Sequence, residues 1–386
     1  MSGFDRKRLK RIESVFAADV EAEKIPGAVV LVAHGGKLAY ERAIGFRDRP
    51  AAAPMELDTI FRGASMTKPL VAVAALMLVE EGKLQLWDPV ATYLPELAGL
   101  RVGIEGEVPA RPMTVQDLFR HTSGFTYGPF GSTPVHAAYV AAGLANPAEN
   151  NEEFVRKLAT LPLLYHPGTM FEYGVSIDVL GRIVEVLDGR ELDAALEARI
   201  FEPLGMQDTG FRIPPEKRAR LAEPHLAASG ANPLKFLYDP DSPPRFFSGG
   251  GGILTTAHDY LRFTSMLLGR GEYDGVRLLA RKTVALMTSN HLPPGCGYGS
   301  FTRALGITAP LPEYGQGFGL GVNVRIEAGR NPNAGSVGDF CWSGISGTYF
   351  WVDPAERLTA ILMLQAPEIR VHYRALLRDL VYGALH

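Results

Sequence analysis

A serine and a lysine three positions apart, Ser65 and Lys68, open the most apolar segment of the chain, FRGASMTKPLVAVAALMLVEEGKL from Phe61 to Leu84. Pro69 follows at once, and proline is tolerated in the first turn of a helix, where its missing N–H would lack a partner anyway. The pair therefore falls at the positive end of a buried helix, on neighbouring points of one face, with Gly82 as the stop. A serine hydroxyl is a weak nucleophile until a base takes its proton. A lysine at the head of an apolar helix is desolvated, which disfavours its charged form and fits it to be that base. The bland alternative is a lysine that snorkels from the helix start into water. Taken alone, the S-x-x-K tetrad favours the snorkelling lysine, because chance produces such matches often. No serine has glycine at both −2 and +2, so the G-x-S-x-G route to an activated serine is missing.

The chain around this pair has 386 residues, long enough for two lobes or one large α/β domain with an insertion. Hydrophobic residues make up 46% and charged residues 21%, as in ordinary globular proteins. A net charge of −3 gives no electrostatic case for nucleic acid or an anionic membrane as partner, and a small molecule is the expected ligand. Two cysteines, Cys296 and Cys341, form neither a disulfide framework nor a zinc site. The nine histidines include no H-x-x-x-H or H-E-x-x-H pair, so no metal is expected. The basic start lacks the apolar core of a secretory signal, and the run from Pro69 to Val79 is too short to span a bilayer. The expected location is cytoplasmic.

The elements that must position Ser65 and Lys68 follow from periodicity. Leu9, Ile12, Phe16 and Val20 mark an amphipathic first helix. Two β-rich runs, Ala28 to Ala33 and Lys37 to Ile44, flank a His-Gly-Gly turn and read as a hairpin. Helical patterns recur at Thr114–Thr122, Asn151–Leu163, Ser176–Gly189 and Glu191–Gly205. Residues 222–248 are Pro-rich and aperiodic, a long connection of the kind tied to function or to a domain crossing. Gly249 to Gly252 lack the spacing and the Lys-Ser/Thr ending of a phosphate loop, so a tight chain reversal is expected. Strands return in GFGLGVNVRI, TYFWVDP and RLTAILML, and VHYRALLRDLVYGAL closes the chain as a helix. Strands at both ends with helices between predict an α/β (α+β) protein with a sheet domain of residues 1–62 and 247–386 and a mainly helical domain of residues 63–246.

FRGASMTKPLVAVAALMLVEEGKLQLWDPVATYLPEL, followed by MTVQDLFRHTSGF, resembles the serine β-lactamase and D,D-peptidase superfamily. Within it the similarity is to the family VIII carboxylesterases, which are similar to class C β-lactamases. It continues in order through PGTMFEYGVSIDVLGRIVEVLDG, FEPLGMQDTGF, SGGGGILTTAHDYLRF and CWSGISGTYFWVDP, nearly the whole chain. The resemblance implies a β-lactamase-like fold, an antiparallel sheet flanked by helices with a mainly helical second part, and a cofactor-free site in the cleft between them. It makes Ser65 the nucleophile and Lys68 its base partner. Tyr173 matches the tyrosine of the family's Tyr-x-Asn element, as general base in acylation and proton donor to the leaving alcohol; Val175 replaces the asparagine, a departure the esterases share. Trp342-Ser343-Gly344 stands where the β-lactamases carry Lys-Thr-Gly. Loss of that cation disfavours anionic substrates, and a tryptophan offers an apolar face to neutral acyl esters. The oxyanion donors implied are the N–H groups of Ser65 and Ile345, the latter on the strand after Gly344. His121, in HTSG, reads as part of a structural turn. Tyr127–Val135 and Ala231–Phe247 would frame the cleft. The expected activity is hydrolysis of short-chain acyl esters through an acyl-enzyme, with acyl transfer or weak β-lactam hydrolysis open to the same intermediate. The competing readings are a β-lactamase or D,D-peptidase, and an inactive ligand-binding relative. Oligomeric state and acyl-chain length have no signature in the sequence.

Overall fold

The computed structural model describes residues 3–225 and 231–386. Its largest sheet draws three strands from the start of the chain, β1 (Gly27–His34), β2 (Lys37–Asp48) and β3 (Ala53–Pro54), and five from its end. The latter are β4 (Gln316–Phe318), β5 (Asn323–Arg325), β6 (Phe340–Ser343), β7 (Tyr349–Asp353) and β8 (Leu358–Leu364). The spatial order is β4-β5-β6-β7-β8-β1-β2-β3, antiparallel throughout. The expected β-lactamase-like antiparallel sheet is therefore present.

Alternation along the central strands sends side chains to two different cores. Ala28, Val30 and Val32 of β1, with Ala360, Leu362 and Leu364 of β8, pack with helix α1 (Arg6–Glu21) and the last helix. Val29 and Leu31, with Ile361 and Met363, face the larger core that contains helix α2 (Thr67–Glu80). Both faces are covered, which is why β1 and β8 read as continuous apolar runs. Helix α1 is capped by Asp5, whose carboxylate accepts from the Lys7 and Arg8 N–H groups, and it buries the four expected residues Leu9, Ile12, Phe16 and Val20. Each such burial stabilises the fold by roughly 1.5–3 kcal/mol.

Helix α2 is buried from Thr67 through Leu76 and lies against α3 (Ser176–Asp188). Helix α4 (Ala257–Leu268) packs on β8, β7 and β1. The final helix, α5 (Arg370–Tyr382), covers the outer face of the sheet beside α1.

Several expectations are corrected in detail. GFGLGVNVRI is not one strand: it folds into β4 and β5, because Gly321, at φ 87°, lets the chain reverse between them. The Asn151 helix stops at Leu158, shortly before Pro162. The Thr114 helix is Val115–Phe119, with Thr114 as its cap in a reciprocal pairing with Asp117. Between Glu191 and Gly205 a π turn at Glu197–Phe201 interrupts the helix, and Gly205 ends it at φ 67°. The connection 222–248 has no helix or strand among its described residues, and its residues 226–230 lie outside them.

Candidate active site

Phe61–Arg62 pairs with Leu254–Thr255, and the Gly63 N–H donates to the Ile253 carbonyl at 2.9 Å, so the chain enters the site from a fixed edge. It then turns sharply. Ala64 takes a left-handed φ of 48°, which costs a residue with a Cβ on the order of 1 kcal/mol. Ser65, expected to open the helix, instead sits in a 3₁₀ turn, Ala64–Met66, immediately before α2. Thr67 Oγ1 donates to the Ala64 carbonyl (2.7 Å) and accepts from the Ile253 N–H (3.0 Å), while Tyr260 donates to the Met66 carbonyl (2.9 Å). The strained turn is thus held from both sides, leaving Ser65 half-buried and Lys68 fully buried.

Lys68 does not snorkel. Its Nζ lies 3.1 Å from Ser65 Oγ, 3.2 Å from the Tyr127 hydroxyl and 2.5 Å from the Gly250 carbonyl. Three oxygen partners match the three donors of an ammonium group, and none of them is a carboxylate. The Tyr173 ring completes the surroundings, its centroid 4.6 Å from Nζ. Gly250 is anchored on its other side by Asp178 of α3, whose Oδ1 accepts from the Gly250 N–H (2.9 Å) and from Ser248 Oγ (2.6 Å). Burial pushes the Asp178 carboxyl above its usual range, and the charge of Lys68 opposes that shift. A Cβ on Gly250 would come within 2.4 Å of Asp178 Oδ2, so only glycine fits between that carboxylate and Lys68. The glycine run is the expected reversal, with Gly251 and Gly252 both donating back to the Ser248 carbonyl. It also delivers a carbonyl to the lysine, which its sequence did not announce.

Two tyrosines therefore meet Lys68, in different ways. Tyr173 offers a ring face and packs on Trp342 (5.4 Å between centroids), His121 (4.8 Å) and Tyr127 (5.7 Å). Tyr127 offers its hydroxyl. Burial, reinforced by the nearby Asp178 and Tyr173, drives its phenol well above the usual value, so it stays protonated. The sequence marked Tyr127 only as the start of a framing loop; its approach to Lys68 from 59 residues away carries no motif.

Trp342, on β6, is 2% exposed and packs against Tyr173 and Phe318, so the structure places it as the floor beneath Tyr173. His121 is fully buried, neither ring nitrogen has a hydrogen-bond partner among the described residues, and burial followed by the Lys68 charge holds it neutral. On the open side, Phe130 and Phe301 stack at 4.1 Å over Tyr127 and Tyr173.

Ile345 was expected on a strand. The strand ends at Ser343, and Ile345 lies in the turn to β7, where the Gly347 N–H donates to the Gly344 carbonyl (3.1 Å). This turn is sewn to the residues before the serine: Ser346 Oγ donates to the Arg62 carbonyl (2.7 Å) and Thr348 Oγ1 to the Gly63 carbonyl (3.0 Å). A Cβ on Gly344 would meet Thr348 Oγ1 at 2.3 Å and the Gly63 carbonyl at 2.5 Å, so close approach dictates glycine there. Among the described residues no group of three or more His, Cys, Asp or Glu is arranged to hold a metal ion, and no helix is long and apolar enough to cross a membrane.

The buried lysine touches a half-buried serine on a strained turn beside β6, and the chain that carries them belongs to the Beta-lactamase family, which matches residues 12–382. Esterase EstB of Burkholderia gladioli is 31% identical over 379 residues, covering 92% of this chain and 89% of EstB. Lovastatin esterase of Penicillium rubens is 31% identical, covering 82% of this chain and 83% of the relative. The solved structure of EstCE1, described as a hydrolase with promiscuous acyltransferase activity, superposes with a TM-score of 0.81 at 28% identity, over 98% of this chain and 99% of that one. The superfamily and its esterase branch, expected from the S-x-x-K segment, are borne out.

Proposed function

We propose that the protein is a serine carboxylic ester hydrolase working through an acyl-enzyme on Ser65. The observation that carries this reading is the 3.1 Å contact between Ser65 Oγ and a fully buried lysine amine. Lys68, as the free amine, takes the Ser65 proton while Oγ bonds to the ester carbonyl carbon and the carbonyl electron pair moves onto oxygen. The Ser65 and Ile345 N–H groups receive that oxyanion. Its collapse breaks the bond to the alcohol oxygen, which leaves with a proton from the lysine–tyrosine set, and water then reverses the sequence to release the acid. An alcohol in place of water would give acyl transfer. Tyr173 is assigned as the proton relay, as the resemblance implies. Tyr127, held protonated, keeps Lys68 aimed at Ser65.

Neutral esters are the reading supported by the resemblance, in which Trp342 replaces the family's carboxylate-binding lysine; Trp342 would act from beneath Tyr173, on which it packs. The test is a chain-length series of p-nitrophenyl esters beside nitrocefin, with Ser65→Ala as control. Ester turnover that Ser65→Ala abolishes, with nitrocefin far slower, is the expected result. Nitrocefin turnover matching the esters would replace this reading with a β-lactamase, and absent turnover and fluorophosphonate labelling would replace it with an inactive relative.

A further inference from the structure

We propose that Arg374 is a positioning residue for the oxyanion-binding peptide that joins Gly344 to Ile345; this rests on the acyl-enzyme reading above. Arg374 projects from α5 and is 4% exposed, and its Nη2 donates to the Gly344 carbonyl at 2.5 Å. Among the described residues the titratable groups acting on it are Arg370, Tyr349, Cys341 and Tyr173, none of them a carboxylate, and its Nε is buried without a partner. Burial, with Arg370 beside it, pulls the guanidinium below its usual value. A buried cation left without an anion is unfavourable, and here it is kept against a turn whose Gly344, Ser346, Gly347 and Thr348 are themselves buried.

The carbonyl that Arg374 holds belongs to the same peptide plane as the Ile345 N–H. In a trans peptide the two point in opposite directions. The Gly344 carbonyl also accepts from the Gly347 N–H at 3.1 Å, so two donors fix that plane. Gly344 packs on the nucleophile's approach segment, where an added Cβ would lie 3.1 Å from the Ala64 Cβ, one residue before Ser65. With its carbonyl turned to Arg374, the peptide is left to present its N–H on the opposite side. A cation on the carbonyl also polarises the amide, strengthening the N–H as a donor, and its field favours negative charge as that charge develops. Those gains are realised when the substrate oxygen becomes an oxyanion and are small before it, so they act on kcat rather than on KM.

The experiment compares wild type, Arg374→Met and Arg374→Lys for kcat and KM on a p-nitrophenyl ester and for the inhibition constant of a trifluoromethyl ketone carrying the same acyl group. The ketone forms a tetrahedral adduct: Ser65 Oγ bonds to its carbonyl carbon, the carbonyl pair moves to oxygen, and the serine proton passes to Lys68. Rates are expressed per active site titrated with a fluorophosphonate, so unfolded protein does not count. Arg374→Met should lower kcat roughly 10- to 100-fold with KM within about twofold, and weaken the ketone by a similar factor. Arg374→Lys should recover part of both. Wild-type kcat and ketone affinity in Arg374→Met, or a change in KM alone, would overturn the proposal. If Arg374→Met does not fold, Arg374→Lys decides by the same ratio of kcat to ketone affinity. Ser65→Ala separates the two readings: activity surviving there sinks the acyl-enzyme itself, whereas a dead Ser65→Ala beside a normal Arg374→Met sinks only the role of Arg374.

Discussion

Two of the buried cationic centres among the described residues are built to opposite ends. On the outer side of the sheet, Arg325 and Arg378 approach the same carboxylate, Asp339, at 3.0 and 2.9 Å, and all three side chains are at most 5% exposed. The Tyr349 hydroxyl accepts a further hydrogen bond from Arg378 Nε at 2.7 Å. At the other centre, fully buried Lys68 has a serine hydroxyl, a phenol and a peptide carbonyl, and the nearest carboxylate in its network is separated from it by Gly250. Paired with an anion, a buried cation stays charged and inert. In the proposed mechanism the lysine, which has no carboxylate partner, serves as the base, a role closed to an arginine. On the proposed reading, the difference that matters is the carboxylate withheld from Lys68 and supplied to Arg325 and Arg378.

Breaking the reactive centre should have the larger consequence for catalysis. Lys68→Met should lower ester kcat by at least about 10³-fold with the protein folded, as steady-state rates and circular dichroism would show. Substituting the tyrosines sharpens the picture. Tyr173→Phe should lower kcat on the order of 10²-fold, as loss of a proton relay, while Tyr127→Phe, losing one aiming hydrogen bond, should cost about tenfold. Equal losses, or the reverse order, would exchange the two roles.

Breaking the outer centre should do the opposite. Asp339→Asn leaves Arg325 and Arg378 buried without their anion, which should destabilise the fold by roughly 3–5 kcal/mol in denaturant titration, with kcat per folded molecule unchanged. The smallest effect concerns Glu172, which precedes Tyr173. Burial raises its carboxyl to about 7, against a hydrogen bond from Thr126, which in turn contacts His136; Tyr165 is the other titratable neighbour. A carboxyl raised from 4.5 to about 7 holds its proton in the folded state longer than in the unfolded one. Stability should therefore fall as pH rises through that window, and Glu172→Gln should flatten that part of the Tm profile.

What the sequence disclosed follows the same division between local and distant. The face of α1, the hairpin of β1 and β2 and the Ser65–Lys68 pair were legible, because apolar spacing and Pro69 act within a few residues. The partners of Lys68 were not: Tyr127 and Gly250 lie 59 and 182 residues away, and only the folded chain brings them to one nitrogen. GFGLGVNVRI reads as one strand because alternation looks the same in one strand as in two joined by a glycine reversal at Gly321. Ile345 was misplaced because pairing of β6 stops where Gly344 turns to meet Gly63, a contact between the two ends of the chain.

The most direct test of the account is mass spectrometric mapping of the protein after brief reaction with a p-nitrophenyl ester or a fluorophosphonate. A single acyl or phosphonyl adduct on Ser65, formed in wild type and strongly slowed in Lys68→Met, is the predicted result. An adduct on any other residue, or one that forms at the wild-type rate without Lys68, would contradict it.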